Sequence, residues 1–210
     1  MKNSKVPLYD NIRKSVIEAE LVEGIPLDQI AQANARWIAV KQKYRNLCKM
    51  NNTSYPEHSH WDWDNKAAKS KLFEAIQTRF AIVYQGEIQG LMLVEQATHL
   101  ARLAPDKGDL ILYIKYLETA PHNMEVYVSP RRFSGIGIVF LSSAIDYSIE
   151  AGSDGRVGLH ALPQAEQFYD FCGMTRFEKD PTHEYLHYYE WTSRQAKAFQ
   201  TFHGSSKDIS

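Results

Sequence analysis

The chain has 210 residues, 44% of them hydrophobic and 23% charged, and its 24 lysines and arginines stand against 25 acids. At about 150 residues per domain this is one domain with at most an appendage, large enough to bury a core without a metal or disulfide staple. Balanced charge argues against a nucleic-acid or membrane-surface footprint, no apolar run approaches the ~18 residues of a membrane helix, Cys48 and Cys172 cannot frame a disulfide scaffold, and the charged start MKNSKVPLYDNIRKS is no signal peptide; a cytoplasmic globular protein remains.

The first third reads as helical. Pro26 is an early-turn helix signal. After it Ile30, Ala33, Trp37, Val40, Tyr44 and Leu47 recur at three- and four-residue steps, one apolar face of a long helix. A polar break, MNNTSYPEHSH, precedes a second helical pattern with Ala67, Ala68, Leu72 and Ile76. The middle third is strand-like. RFAIVYQGE and IQGLMLVEQATHLARL form a hairpin across Gly86, and DLILYIKYLET follows a turn at Asp106, Lys107 and Gly108. This predicts an antiparallel meander.

The last third alternates. GIGIVFLSSAIDYSIEAG reads as a helix, RVGLHAL as a short buried strand, QAEQFYDFCGM as a helix closed by Gly173, and EYLHYYEW as a final strand. A helix between strands implies a parallel crossover. The expected architecture is therefore α/β: an antiparallel sheet that turns partly parallel, preceded by a helical extension over 1–60. The main domain is expected over 61–203, with a flexible tail over 204–210.

Two segments carry chemistry. Arg132-Phe133-Ser134-Gly135-Ile136-Gly137 opens a helix. Free amides and the helix dipole favour an anion there, glycines let it approach, and Arg131 and Arg132 add charge. Ala165 to Met174 places Tyr169 four residues before Gly173. Alone, each has a plain reading: a surface helix start and a packed tyrosine.

Together, Arg-x-x-Gly-x-Gly at a helix start, a strand, and then Ala-x-x-Phe-Tyr-x-x-x-Gly resemble the GNAT superfamily of acyl-CoA-dependent N-acetyltransferases. The likeness covers about residues 78–191 and is strongest from Arg132 to Met174. Tyr116–Pro121 and Gly155–His160 also resemble a poorly characterised bacterial branch of it. The resemblance implies a mixed sheet whose central strands splay to admit the pantetheine arm of acetyl-CoA. It puts the pyrophosphate on the backbone of residues 132–137 and makes Tyr169 the acid that protonates the leaving thiolate. Leu162 stands where the family often has Asn. Two strands compete to precede the phosphate loop, 109–118 and 124–129, and the longer apolar run favours the first.

The expected reaction is direct attack of a primary amine on the thioester. An alkylamine with a pKa of about 10.4 needs a proton acceptor. Glu118 is the candidate base, and Glu125 replaces it if the other strand is right. In the cluster His58-x-His60-Trp61-Asp62-Trp63, a metal site lacks a further ligand pair, so no metal is expected. Trp61 and Trp63, with Tyr116, could line a pocket for a cationic amine, or pack helices on the sheet. The acceptor is a small molecule or peptide, and a homodimer is compatible with an exposed final strand. Two alternatives stay open: an acyl-CoA-binding regulatory module without turnover, and a toxin-like acetyltransferase of aminoacyl-tRNA, which the net charge of −1 does not support.

Overall fold

The computed structural model describes residues 2–204. Its strands are β1 (Lys2–Asp10), β2 (Ser15–Glu23), β3 (Gln77–Tyr84), β4 (Glu87–Leu100), β5 (Leu110–Thr119), β6 (Phe133–Ser134), β7 (Val157–Ala161), β8 (Thr175–Asp180) and β9 (Leu186–Trp191). Its α-helices are α1 (Leu27–Met50), α2 (Trp63–Lys71), α3 (Ile136–Glu150), α4 (Glu166–Phe171) and α5 (Ser193–His203). The nine strands form one mixed sheet in the order β6-β1-β2-β3-β4-β5-β7-β9-β8, in which β5 and β7 run parallel. No helix among the described residues is long and apolar enough to cross a membrane.

The chain divides into two compact units, and the division cuts across the boundary expected at residue 60. The first comprises residues 2–74, 78–91 and 118–137. Its surprise is the β1–β2 hairpin, which lies in the stretch expected to be helical. Lys2 pairs with Glu23 and Asp10 with Ser15, so the two strands match end to end. In β1 only Val6, Leu8 and Asp10 are buried, the alternation of a strand with one wet face. Helix α1 is where the apolar pattern puts it, with Pro26 as N-cap, but its buried face is turned. Ile30, Ala33, Asn34, Trp37, Lys41 and Cys48 are buried, while Val40 and Leu47 are exposed. Two polar side chains sit on this face because both have partners. Asn34 donates to Asp62 and accepts from the Trp63 amide, 2.8 and 2.9 Å, which ties α1 to the N-cap of α2.

The second unit comprises residues 75–77, 92–117 and 138–204. Here the order strand, helix, strand gives the expected parallel crossover from β5 through α3 to β7. Buried Arg156 fixes the entry to β7 by donating to the Leu110 carbonyl at 2.9 Å. Buried Glu190 accepts the amides of Arg102 and Leu103, anchoring the chain after β4 on β9. Strand β8 and helix α5 complete this unit without having been expected. A capping box at Thr192 and Gln195 starts α5. The competing strand at 124–129 is not formed, and the expected tail falls mainly on 205–210, outside the described residues.

Candidate functional site

Residues 131–137 form a supported turn. Phe133 and Ser134 pair with Asp10 and Tyr9 as β6. The Asn11 amide and side chain reach the Arg132 carbonyl and Ser134 Oγ at 2.8 Å each. Buried Asn123 accepts the Phe133 amide at 3.0 Å and donates to Gln89, and the Arg132 amide donates to the His122 carbonyl. The amides of Arg132 and Phe133 are thus engaged, so an anion must be met from Gly135 onward. Gly135 is exposed, has φ +96°, and has open space where a Cβ would project. A turn with that φ favours glycine, and the first α3 amides lack intrahelical partners. The fit to a diphosphate is therefore good for Gly135, Ile136 and Gly137 and is completed by charge. The Arg132 guanidinium lies over the Phe133 ring at 4.9 Å, and half-exposed Arg131 lies 3.7 Å from Glu125.

Glu118 and Trp63 come together in the same unit, but below the surface. The Lys41 ammonium lies 2.6 Å from Glu118 Oε1, and the Trp63 indole donates to Oε2 at 2.6 Å. His58 Nε2 is 3.8 Å away and also meets the Tyr127 hydroxyl at 3.3 Å. Burial raises the Glu118 pKa against the opposing pull of Lys41 and Trp63. Burial also lowers the His58 pKa to about 4, with Lys41 adding to the shift. Trp63 is buried, whereas Trp61 is half-buried with the Lys66 ammonium 4.5 Å from its ring centre. Tyr116 is half-buried on β5. Lys41 was missed in the sequence, although positions 30, 33, 34, 37 and 41 follow the helix period.

In the second unit, the parallel ladder of β5 and β7 has three rungs: Leu112 with Val157, Tyr113 with Gly158, and Ile114 with Leu159. The pairing ends there, although β5 continues to Thr119 and β7 to Ala161. Unpaired backbone groups at a parting of strands accept an extended ligand as an added strand. Tyr169 on α4 is buried and packs at 5.6 Å on the Tyr189 ring. Its hydroxyl has no hydrogen-bond partner among the described residues, and burial raises its pKa above the ordinary phenol range. Cys172 is buried, and its thiol is pushed up to about 12 by burial, which suits packing rather than nucleophilic attack.

The architecture has known counterparts. An uncharacterised protein from Bacillus halodurans superposes with a TM-score of 0.57, covering 94% of this chain and 95% of its own at 9% identity. A GNAT-family acetyltransferase from Desulfovibrio desulfuricans gives 0.50, covering 82% of this chain and 99% of its own at 13% identity. An acetyltransferase from Clostridium acetobutylicum, solved with acetyl-CoA, gives 0.47, covering 77% and 93% at 12% identity. No family model matches the chain, and no curated protein matches it. The chain has the fold of the GNAT acetyltransferases.

Proposed function

We propose that the chain is an N-acyltransferase that moves an acetyl group from acetyl-CoA to a primary amine. The observation that carries this reading is the end of the registered β5–β7 pairing at Ile114 and Leu159, short of the ends of both strands. Gly135, Ile136 and Gly137 hold the diphosphate of coenzyme A, with Arg131 and Arg132 neutralising its charge. Backbone amides of the parted strands hold the thioester and stabilise the oxyanion as the amine attacks. Tyr169 keeps its proton at neutral pH and donates it to the departing thiolate. No covalent enzyme intermediate is needed.

The enclosure of Glu118 by Lys41, Trp63 and His58 supports an anchoring role for this carboxylate, at the end of β5, rather than proton transfer. Calorimetric titration with acetyl-CoA, followed by thiol release with a panel of amines, tests the proposal. Tyr169→Phe should lower turnover about 10²-fold while leaving acetyl-CoA affinity unchanged. Unchanged turnover removes the acid role. Binding without thiol release from any amine would instead favour a sensor of acyl-CoA.

A further inference from the structure

The second unit holds a polar cluster carried by β5, β7 and β8. The Tyr113 hydroxyl lies 2.8 Å from His160 Nδ1, and His160 Nε2 lies 3.2 Å from Asp180 Oδ2. Tyr113 and His160 flank the last rung of the β5–β7 ladder, Ile114 with Leu159. Each link is packed by further contacts. Tyr113 stacks on His99 at 4.0 Å and 9°, and His160 stacks on His183 at 3.9 Å and 5°. Asp180 Oδ1 accepts the Thr182 amide and hydroxyl at 3.0 and 2.6 Å, and Oδ2 accepts Arg102 at 3.1 Å.

These partners fix the protons. The Thr182 bonds hold Asp180 well below the usual carboxylate range, so it is an acceptor only. His160 Nε2 must then carry hydrogen and donate to it. That tautomer leaves a lone pair on Nδ1, which accepts the Tyr113 hydroxyl. The order Tyr–His–Asp matches the logic of a nucleophile or proton carrier, a base and an orienting carboxylate.

We propose that Tyr113, His160 and Asp180 are the proton relay that deprotonates the attacking amine. As nitrogen bonds to the thioester carbon, its proton passes to the Tyr113 oxygen while the Tyr113 proton passes to His160 Nδ1. Asp180 balances the imidazolium that results, and the relay returns its extra proton to solvent after product leaves. Tyr113 is the catalytic residue; His160 and Asp180 position it and act through it. The proposal rests on the acyltransferase reading and supplies the base that the Glu118 enclosure leaves wanting. Burial lowers His160 to about 4 and raises Tyr113 above the phenol range. Before the amine attacks, the imidazole is neutral and the phenol keeps its proton, so the two protons move together.

The test uses the full chain with acetyl-CoA, and putrescine, phenethylamine and N-acetyl-lysine amide as acceptors. Tyr113→Phe and His160→Gln should each lower thiol release about 10²- to 10⁴-fold with acetyl-CoA affinity within about twofold. Tyr113→Phe removes one oxygen and preserves the ring, so a folded protein is available even if His160→Gln unfolds. Wild-type turnover plotted against the deuterium fraction of the solvent should be curved, as for two protons in flight, and straight in the Tyr113→Phe residue of activity. Retention of most turnover by Tyr113→Phe, or a straight wild-type plot, would overturn the relay. Acetyl-CoA binding without thiol release would also overturn it and leave the coenzyme site standing; absence of binding would remove the acyltransferase reading and the relay with it. His160, Asp180 and His183 also offer ligand atoms within 4.8 Å of one another. Turnover abolished by a chelator and restored by zinc would replace the relay with a metal centre.

Discussion

Lys41 sits on the buried face of α1 with only 1% of its side chain exposed, and its partner Glu118 is at 2%. Two charges withdrawn from water this far depend on each other. Removing one leaves the other without compensation, which costs about 3–5 kcal/mol. Lys41→Met should therefore lower the urea midpoint sharply, whereas Lys41→Met with Glu118→Gln should recover much of the loss. A double variant no more stable than Lys41→Met would show that the pair is not coupled. The sequence pattern placed Glu118 on a strand end and Trp63 near a helix start, and both placements hold. It could not show that they meet, because the lysine between them comes from a helix whose register was read from Val40 and Leu47. Those two side chains are exposed, since the face turns to bring Lys41 inward. A lysine was read as solvated by default, and only the distant carboxylate makes it otherwise.

Elements with strong periodicity were legible: α1, β3 to β5, α3, β7 and β9. The hairpin at the start was not. SVIEAELVE contains good helix formers, and its strand alternation is carried by small differences between Ala19 or Leu21 and the glutamates beside them. β8 was hidden for a related reason: TRFEKD has no fully buried residue. At this scale Gly158 on β7 makes a sharp prediction. A methyl group there would overlap the Tyr188 hydroxyl and ring, and Ile111 closes the other side at 3.2 Å. Gly158→Ala should cost about 1–3 kcal/mol through overpacking. Thermal unfolding checks it; a neutral result would mean that Tyr188 moves aside freely. The sequence placed Gly158 on a short apolar strand and in the Gly155–His160 resemblance but not against a ring, because the ring that requires it arrives from β9.

Across the whole molecule the buried histidines set a pH limit. An unfolded histidine titrates near 6.5, whereas burial lowers His58 and His160 to about 4. Below pH 6.5 the unfolded chain binds protons that the folded chain refuses, so stability falls as pH drops from 6.5 toward 4. Both histidines contribute to that loss. Urea unfolding between pH 7.5 and 4.5 should show the slope, and His58→Gln should flatten part of it; a flat wild-type profile would contradict the assignment. The parallel β5–β7 crossover followed from element order, but these titrations depend on which groups burial collects, which element order does not specify.

The bond between Asn11 and Arg132 spans 121 residues of chain. On a ribosome adding about 5–20 residues per second, the first hairpin, complete at Glu23, waits roughly 5–22 seconds before its β6 partner exists. Throughout that interval the outer edge of β1 is an open template for any other extended peptide. Phe133 and Ser134 later cover that edge only at Tyr9 and Asp10, so Lys2 and Lys5, farther along β1, guard the rest of it against mispairing.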